Sequence, residues 1–289
     1  MSSPSYLVLE NGSVYPGRGF GNPAPLPGDL RNGESSYCNS GEVVFNTAMS
    51  GYHETLTDPS YTGQIIAMCY PHQGNYGTDN TWNESGPEIG RDSVRGVKAA
   101  GFVVRSVYRG PVPEGRGTLD DFLRDNGIPG LTEVDTRKLT LELRDTGSQK
   151  GVIVQADQGV ELSSAGKQRV IDFLKSLPSM EGSNLINDVG TCRALDLHDE
   201  VGSTHHPDRT LRPEELEGVK PGLRVALFDT GVKANIIREL QGFGCKVELF
   251  PATATADDML KIKPDGFLLA NGPGDPAVLD HQIQVIKDL

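Results

Sequence analysis

From Leu223 to Leu289 the sequence alternates short apolar runs with amphipathic stretches of helical period, and few architectures accept that order. Arg224 to Phe228 has strand length. Val232, Ile236, Leu240 and Phe243 then fall on one helical face, which Gly244 closes. Lys246 to Phe250 is the next strand. Thr255 with Asp258 opens a short helix carrying Met259, Leu260 and Ile262, and Gly266 to Ala270 is a third strand. The loop Asn271-Gly272-Pro273-Gly274-Asp275-Pro276 leads to a last helix marked by Leu279, Ile283 and Ile286. Apolar strands separated by helices are the mark of a parallel sheet covered on both faces, because each crossover lays a helix on the sheet. The pattern predicts an α/β protein whose C-terminal part is the βαβαβα opening of a doubly wound, flavodoxin-like parallel sheet.

Residues 1 to about 155 read differently. Tyr6 to Glu10, Val43 to Phe45, Gln64 to Cys69, Phe102 to Arg105 and Val152 to Gln155 are apolar runs of strand length. Turns such as Tyr15-Pro16-Gly17 and Gly74-Asn75-Tyr76-Gly77 are expected between them. One helix is expected after Thr118, a candidate N-cap with Asp121 three residues on, and ends at Gly127. A second follows Asp135, presents Leu139 and Leu143 on one side, and ends at Gly147. Residues 156–221 read as a connection. It holds one helix, with Val170, Phe173, Leu174 and Leu177 on a common side and Pro178 just beyond, and then turns polar. The expected division is therefore 1–155, 156–221 and 222–289.

The chain has 289 residues, enough for two domains, and its charge is 27 minus 39, or −12. A surface so acidic repels phosphate backbones and anionic lipid, which argues against nucleic-acid and membrane partners. No run reaches the ~20 apolar residues of a membrane span, and Met1-Ser2-Ser3-Pro4 lacks the features of a secretory leader. A cytoplasmic location is expected. Cys38, Cys69, Cys192 and Cys245 are scattered, so neither a zinc site nor a disulfide framework is indicated. The adjacent His205 and His206 have no third ligand at a useful spacing and read as a solvated linker.

Chemistry concentrates in the loop from Asn271 to Pro276. It leaves the carboxyl end of a parallel strand, where open α/β sheets bind ligands. Its backbone N–H groups can hold an oxyanion in acyl transfer; the plain alternative is a turn into a helix with Pro276 at its first position. No G-x-x-x-x-G-K-[ST] loop is present, and Gly17-Arg18-Gly19-Phe20-Gly21 is followed by Asn22 where G-x-G-x-x-G needs glycine. No nucleotide cofactor is expected on this chain. None of the four cysteines sits in a G-x-C-x-G elbow; Cys192 follows Gly190-Thr191 but has Ala194 in the last place. His281, on the last helix, reads as a surface residue.

Several stretches, in order, carry a family resemblance. They are Gly41-Glu42-Val43-Val44-Phe45-Asn46-Thr47, Gly51-Tyr52-His53-Glu54, Leu56-Thr57-Asp58-Pro59-Ser60-Tyr61 and Tyr70-Pro71-His72-Gln73-Gly74-Asn75-Tyr76-Gly77. Val134 to Thr140, Phe228 to Ile236 and Asn271 to Pro276 follow. Together they resemble the small, glutamine-hydrolysing subunit family of carbamoyl phosphate synthetase, from about Tyr6 to Leu289. The resemblance implies an N-terminal swivelling β/β/α domain that docks on a large synthetase subunit, followed by part of a class I glutamine amidotransferase domain. It implies that glutamine is hydrolysed to glutamate and ammonia. The large subunit, which holds ATP and Mg, then uses that ammonia to make carbamoyl phosphate for arginine and pyrimidine synthesis. Carried over by motif, Ser60 matches a glutamine-binding position, and Gly272 and Gly274 match glutamine and oxyanion contacts.

The family's nucleophilic Cys and its His and Glu partners are expected beyond Leu289, so the chain by itself is expected to be inactive. The partial sheet is expected to leave an edge unpaired. Gly21 to Ser40 is an insertion-like segment. Two readings of the family resemblance stay open: a glutaminase subunit represented in part, or a short paralogue that binds the large subunit without hydrolysing glutamine. An unrelated oxidoreductase lacks its dinucleotide fingerprint.

Overall fold

A computed structural model describes residues 3–31, 39–79, 81–85, 96–157, 159, 161–197, 218, 220 and 222–289. The histidine pair and Cys38 lie outside the described residues. The chain forms two compact units. One comprises Met1–Thr57, Tyr61–Asn80 and Val97–Met180; the other comprises Asp58–Ser60, Thr81–Gly96 and Glu181–Leu289.

Among the described residues, the first unit holds nine strands and four α-helices. Its strands are β1 (Pro4–Leu9), β2 (Val14–Gly21), β3 (Ser40–Asn46), β4 (Gln64–Met68), β5 (His72–Gln73), β6 (Gly101–Val103), β7 (Ser106–Val107), β8 (Pro129–Thr132) and β9 (Gln149–Gln155). Its helices are α1 (Tyr52–Thr57), α2 (Leu119–Asp125), α3 (Thr136–Thr146) and α4 (Ser164–Ser176). Seven strands close into a barrel in the order β1-β2-β8-β6-β4-β3-β9, and β5 pairs with β7 apart from it. Closure removes the exposed edges that a sheet of this size would otherwise carry.

Side chains alternate across each strand, so the barrel has two apolar surfaces. Leu7, Leu9, Val43, Ile65, Ala67, Val103, Leu131 and Ile153 form the interior cluster with Leu139 and Leu143 of α3. Their neighbours Val8, Val152 and Val154 face outward and pack under Val170, Phe173 and Leu174 of α4. Ile66, Met68 and Phe102 do the same under Tyr52 and Leu56 of α1 and Leu119 and Leu123 of α2. The caps follow the sequence. The Thr118 hydroxyl accepts from the Asp121 N–H at 3.1 Å, and Asp135 accepts from the Lys138 N–H at 3.0 Å. Each satisfies one of the orphan donors of a helix start.

Two expectations need correction. Tyr15-Pro16-Gly17 is not a turn but lies inside β2, with Pro16 opposite Tyr6. Beyond β1, strand β2 pairs with β8 only from Arg18 onward, so at Pro16 one side of the ladder is open and the missing N–H costs little. The stretch 156–221 also divides. Its helix α4 belongs to the barrel unit, whereas residues from Glu181 onward belong to the other unit.

The second unit has strands β10 (Leu195–Asp196), β11 (Arg224–Asp229), β12 (Lys246–Pro251) and β13 (Gly266–Leu269), with helices α5 (Ala234–Gly242), α6 (Ala256–Leu260) and α7 (Asp280–Asp288). Sheet order is β10-β12-β11-β13. Strands β11, β12 and β13 are parallel, as expected; β10, from the stretch read as a connection, adds an antiparallel edge, so the sheet as a whole is mixed. Leu227, Val247 and Leu249 pack with Ile237 of α5, and Ala226, Phe228 and Phe250 with Met259 and Val285. Thr255 and Asp258 form the expected capping box of α6. The face of α7 differs from expectation. It buries Val285, while Ile283 and Ile286 stay exposed, and His281 Nε2 lies 3.0 Å from the Ala254 carbonyl. On β13, Phe267 and Leu269 are exposed, so this strand is not covered on both faces.

Candidate functional site

The carboxyl ends of β11 and β13 bring two turns together within the second unit. The first follows β11. Asp229 is fully buried, and its carboxylate accepts from the Gly231 and Val232 N–H groups, each at 2.9 Å, and from the Thr191 N–H at 2.8 Å. Three charge-assisted bonds compensate its loss of water. They also lock the turn that starts α5.

The second turn is the glycine-proline loop after β13. The Thr230 hydroxyl lies 2.9 Å from the Ala270 carbonyl and 3.1 Å from that of Asn271, tying one turn to the other. Gly272 lies so close to this tie that an added Cβ would sit 2.0 Å from the Thr230 carbonyl oxygen. Gly274 has φ +85°, a left-handed conformation that glycine adopts without penalty, and a Cβ there would come within 2.5 Å of the Ser183 carbonyl oxygen. Asp275 anchors the loop's far side. Its N–H donates to Ser183 O at 2.9 Å, and its carboxylate accepts from the Gly182 and Ala277 N–H groups at 2.9 and 2.8 Å.

Ser60 comes to this place from far away in sequence. The Asn271 side-chain amide donates to Ser60 Oγ at 2.6 Å, and its Oδ1 accepts from the Lys233 N–H at 3.2 Å. Asp58 holds the other end, accepting from the Ser60 N–H at 2.9 Å and meeting the Lys233 ammonium at 3.5 Å. The same unit carries Glu84 to the start of α5. There Glu84 accepts from the Asn235 N–H at 2.8 Å and pairs with Arg238 at 3.0 Å, while the Arg238 guanidinium lies 5.5 Å from the centre of the Trp82 ring.

Of the sequence-derived candidates, the structure gathers Ser60 with the strand-end loop that holds Gly272 and Gly274. Asp229, Thr230, Lys233 and Asp58 had been read only as parts of motifs; their role as the frame of the two turns needed the fold. Three cysteines, Cys69, Cys192 and Cys245, fall among the described residues. Cys69 Sγ is 3.2 Å from the Thr140 hydroxyl, burial pushes the Cys245 thiol up, and Cys192 is exposed. Among the described residues no cluster of His, Cys, Asp and Glu could hold a metal ion, and no helix is long and apolar enough to cross a membrane.

Two stretches of the chain match known families. Residues 7–153 match the family described as carbamoyl-phosphate synthase small chain, CPSase domain. Residues 226–289 match the class-I glutamine amidotransferase family. The chain belongs to the carbamoyl-phosphate synthase small chain family. It is 38% identical to the carbamoyl phosphate synthase small chain of Haemophilus ducreyi, over 100% of this chain and 69% of that one. It is 36% identical to that of Polynucleobacter asymbioticus, over 98% of this chain and 66% of that one, and 35% identical to that of Pseudomonas aeruginosa, over 100% and 68%. The chain thus spans about two thirds of the length of these carbamoyl-phosphate synthase small chains. Within the family match, the amidotransferase stretch begins in β11 and includes both turns of the site, while Ser60 comes from the stretch matched by the other profile.

Proposed function

We propose that the chain acts as the glutamine-handling small chain of a carbamoyl phosphate synthase, supplying ammonia from glutamine to a large chain that holds ATP and Mg. Ser60, Gly272 and Gly274 are the glutamine contacts in this reading. The observation that carries it is the meeting, in one compact unit, of Ser60 with a glycine loop at the carboxyl end of a parallel strand. Loop N–H groups there suit an amide oxygen on which negative charge develops. The closed barrel with its covering helices supports the reading of the first unit as the swivelling β/β/α domain that docks on the large chain. The assembly is cytoplasmic and serves arginine and pyrimidine synthesis.

Ser60→Ala tests the site. One neutral hydrogen bond contributes ~0.5–1.5 kcal/mol, so glutamine should bind about 2- to 12-fold more weakly, read by calorimetry. Unchanged affinity would remove Ser60 from the site.

A second reading rests on the thiols. None of the four lies in a G-x-C-x-G elbow, which favours a non-catalytic partner of the large chain for these 289 residues taken alone. Both readings predict that a large synthase chain retains this chain in a pull-down through residues 1–180. Glutamate release by the purified 289-residue chain, stopped by a thiol reagent, would exclude the second reading and would also overturn the expectation that the chain by itself is inactive.

A further inference from the structure

We infer that Asn271 is a positioning residue which, by donating to the Ser60 hydroxyl, turns that hydroxyl's proton away from itself and keeps it free to donate to a ligand. The inference rests on the glutamine reading of this site and adds to it the type of group Ser60 recognises, an acceptor oxygen.

The argument starts from a main-chain group. The Lys233 N–H can donate and cannot accept. The Asn271 side-chain atom that faces it at 3.2 Å is therefore the carbonyl oxygen. That choice settles the other end of the amide. The atom facing Ser60 Oγ at 2.6 Å is the NH₂ group, which can only donate. Ser60 Oγ must accept, and its own O–H is left pointing to another partner. Among the described residues no hydrogen bond takes up that proton. The Ser60 N–H is already held by Asp58 at 2.9 Å, which sets the backbone from which the hydroxyl projects.

A serine is ordinarily indifferent, because its hydroxyl rotates to donate or accept as the neighbour requires. Here the neighbour has no freedom. Both ends of the Asn271 amide are engaged, and Thr230 holds the main-chain carbonyl of Asn271 at 3.1 Å. The direction of the bond is thus transmitted from the Asp229 turn through Asn271 to Ser60. Glutamine carries acceptor oxygens on its carboxylate and amide and a donor ammonium. A Ser60 proton turned outward suits the former.

The test is a mutant cycle on L-glutamine affinity, measured by calorimetry with the whole 289-residue chain. Asn271→Ala should weaken glutamine about 3- to 10-fold when Ser60 is present, the range of one hydrogen bond. In a Ser60→Ala background the same change should have almost no effect, because Asn271 then has no hydroxyl to orient. Asn271→Asp keeps the acceptor for the Lys233 N–H but replaces the donor, so the Ser60 proton turns inward and affinity should fall at least as far as in Asn271→Ala. Equal losses from Asn271→Ala in both backgrounds, or Asn271→Asp binding like the parent, would overturn the inference. A parent chain that binds no glutamine would sink the glutamine reading instead. In that case the Asn271 side-chain amide resonances decide the polarity: Ser60→Ala should shift them upfield, and unmoved resonances would refute the hydrogen bond.

Discussion

Arg238→Met is expected to destabilise the second unit by about 3–5 kcal/mol at neutral pH, the usual cost of leaving one member of a buried ion pair alone. The side chains of Arg238 and Glu84 are 9% and 3% exposed. The guanidinium also donates to the Asn83 carbonyl at 2.7 Å and lies over Trp82. Methionine replaces the aliphatic stem but none of these bonds. Glu84 already sits above the ordinary carboxylate range, chiefly through burial, with Arg238 as the largest opposing influence. Removing Arg238 raises it further. A carboxyl whose folded value exceeds its unfolded value contributes stability that is complete below the unfolded value and is lost as pH rises through the folded one. The variant should therefore approach the parent as pH falls toward the ordinary glutamate value, and diverge from it above. Trp82 is the only tryptophan, so urea unfolding followed by its fluorescence reports this unit. Adding Glu84→Leu should recover part of the loss, since a paired replacement by apolar side chains leaves no orphan charge. A pH-independent loss under about 1 kcal/mol would mean that the pair behaves as an exposed one.

Gly272→Ala should abolish useful glutamine binding. The new Cβ would lie 2.0 Å from the Thr230 oxygen and 2.9 Å from its carbonyl carbon. Both are main-chain atoms held by the turn on Asp229, so no side chain can swing away. The loop must shift, and with it Asn271, Gly274 and whatever they present to a ligand. Displacements near 1 Å in a binding constellation cost on the order of 10²-fold. Glutamine calorimetry should show a loss of that order, while circular dichroism of the barrel unit stays as in the parent. Binding within threefold of the parent would show that the loop yields without consequence and that the glycine is there for the turn alone.

The alternating pattern after Leu223 made the strands and helices of the second unit legible, because burial imposes periodicity on each element separately. Thr255 with Asp258, Thr118 with Asp121 and Asp135 before α3 were readable for a similar reason: caps are local. Barrel closure was not readable, since it depends on which strands pair, and β1 with β9 joins residues about 145 apart in sequence. The two-residue strand β10 carries too little periodicity to be found. Helix α7 misled because its apolar side chains occupy more than one face, and only packing selects Val285. At the site, Ser60 and the glycines came from motif resemblance, whereas the bond from Asn271 to Ser60 spans 211 residues. No spacing rule reaches that far.

The second unit is not a contiguous piece of chain. It borrows Asp58–Ser60 and Thr81–Gly96 from the middle of the barrel's own sequence. A gene fragment starting near residue 222 would encode Arg238 without Glu84, and Asn271 without Ser60. Cutting at the polar stretch before Leu223, where a modular view would place the scissors, would therefore draw each pair from two sources. Recombination there keeps these pairs only where both parents supply matching residues at the four positions.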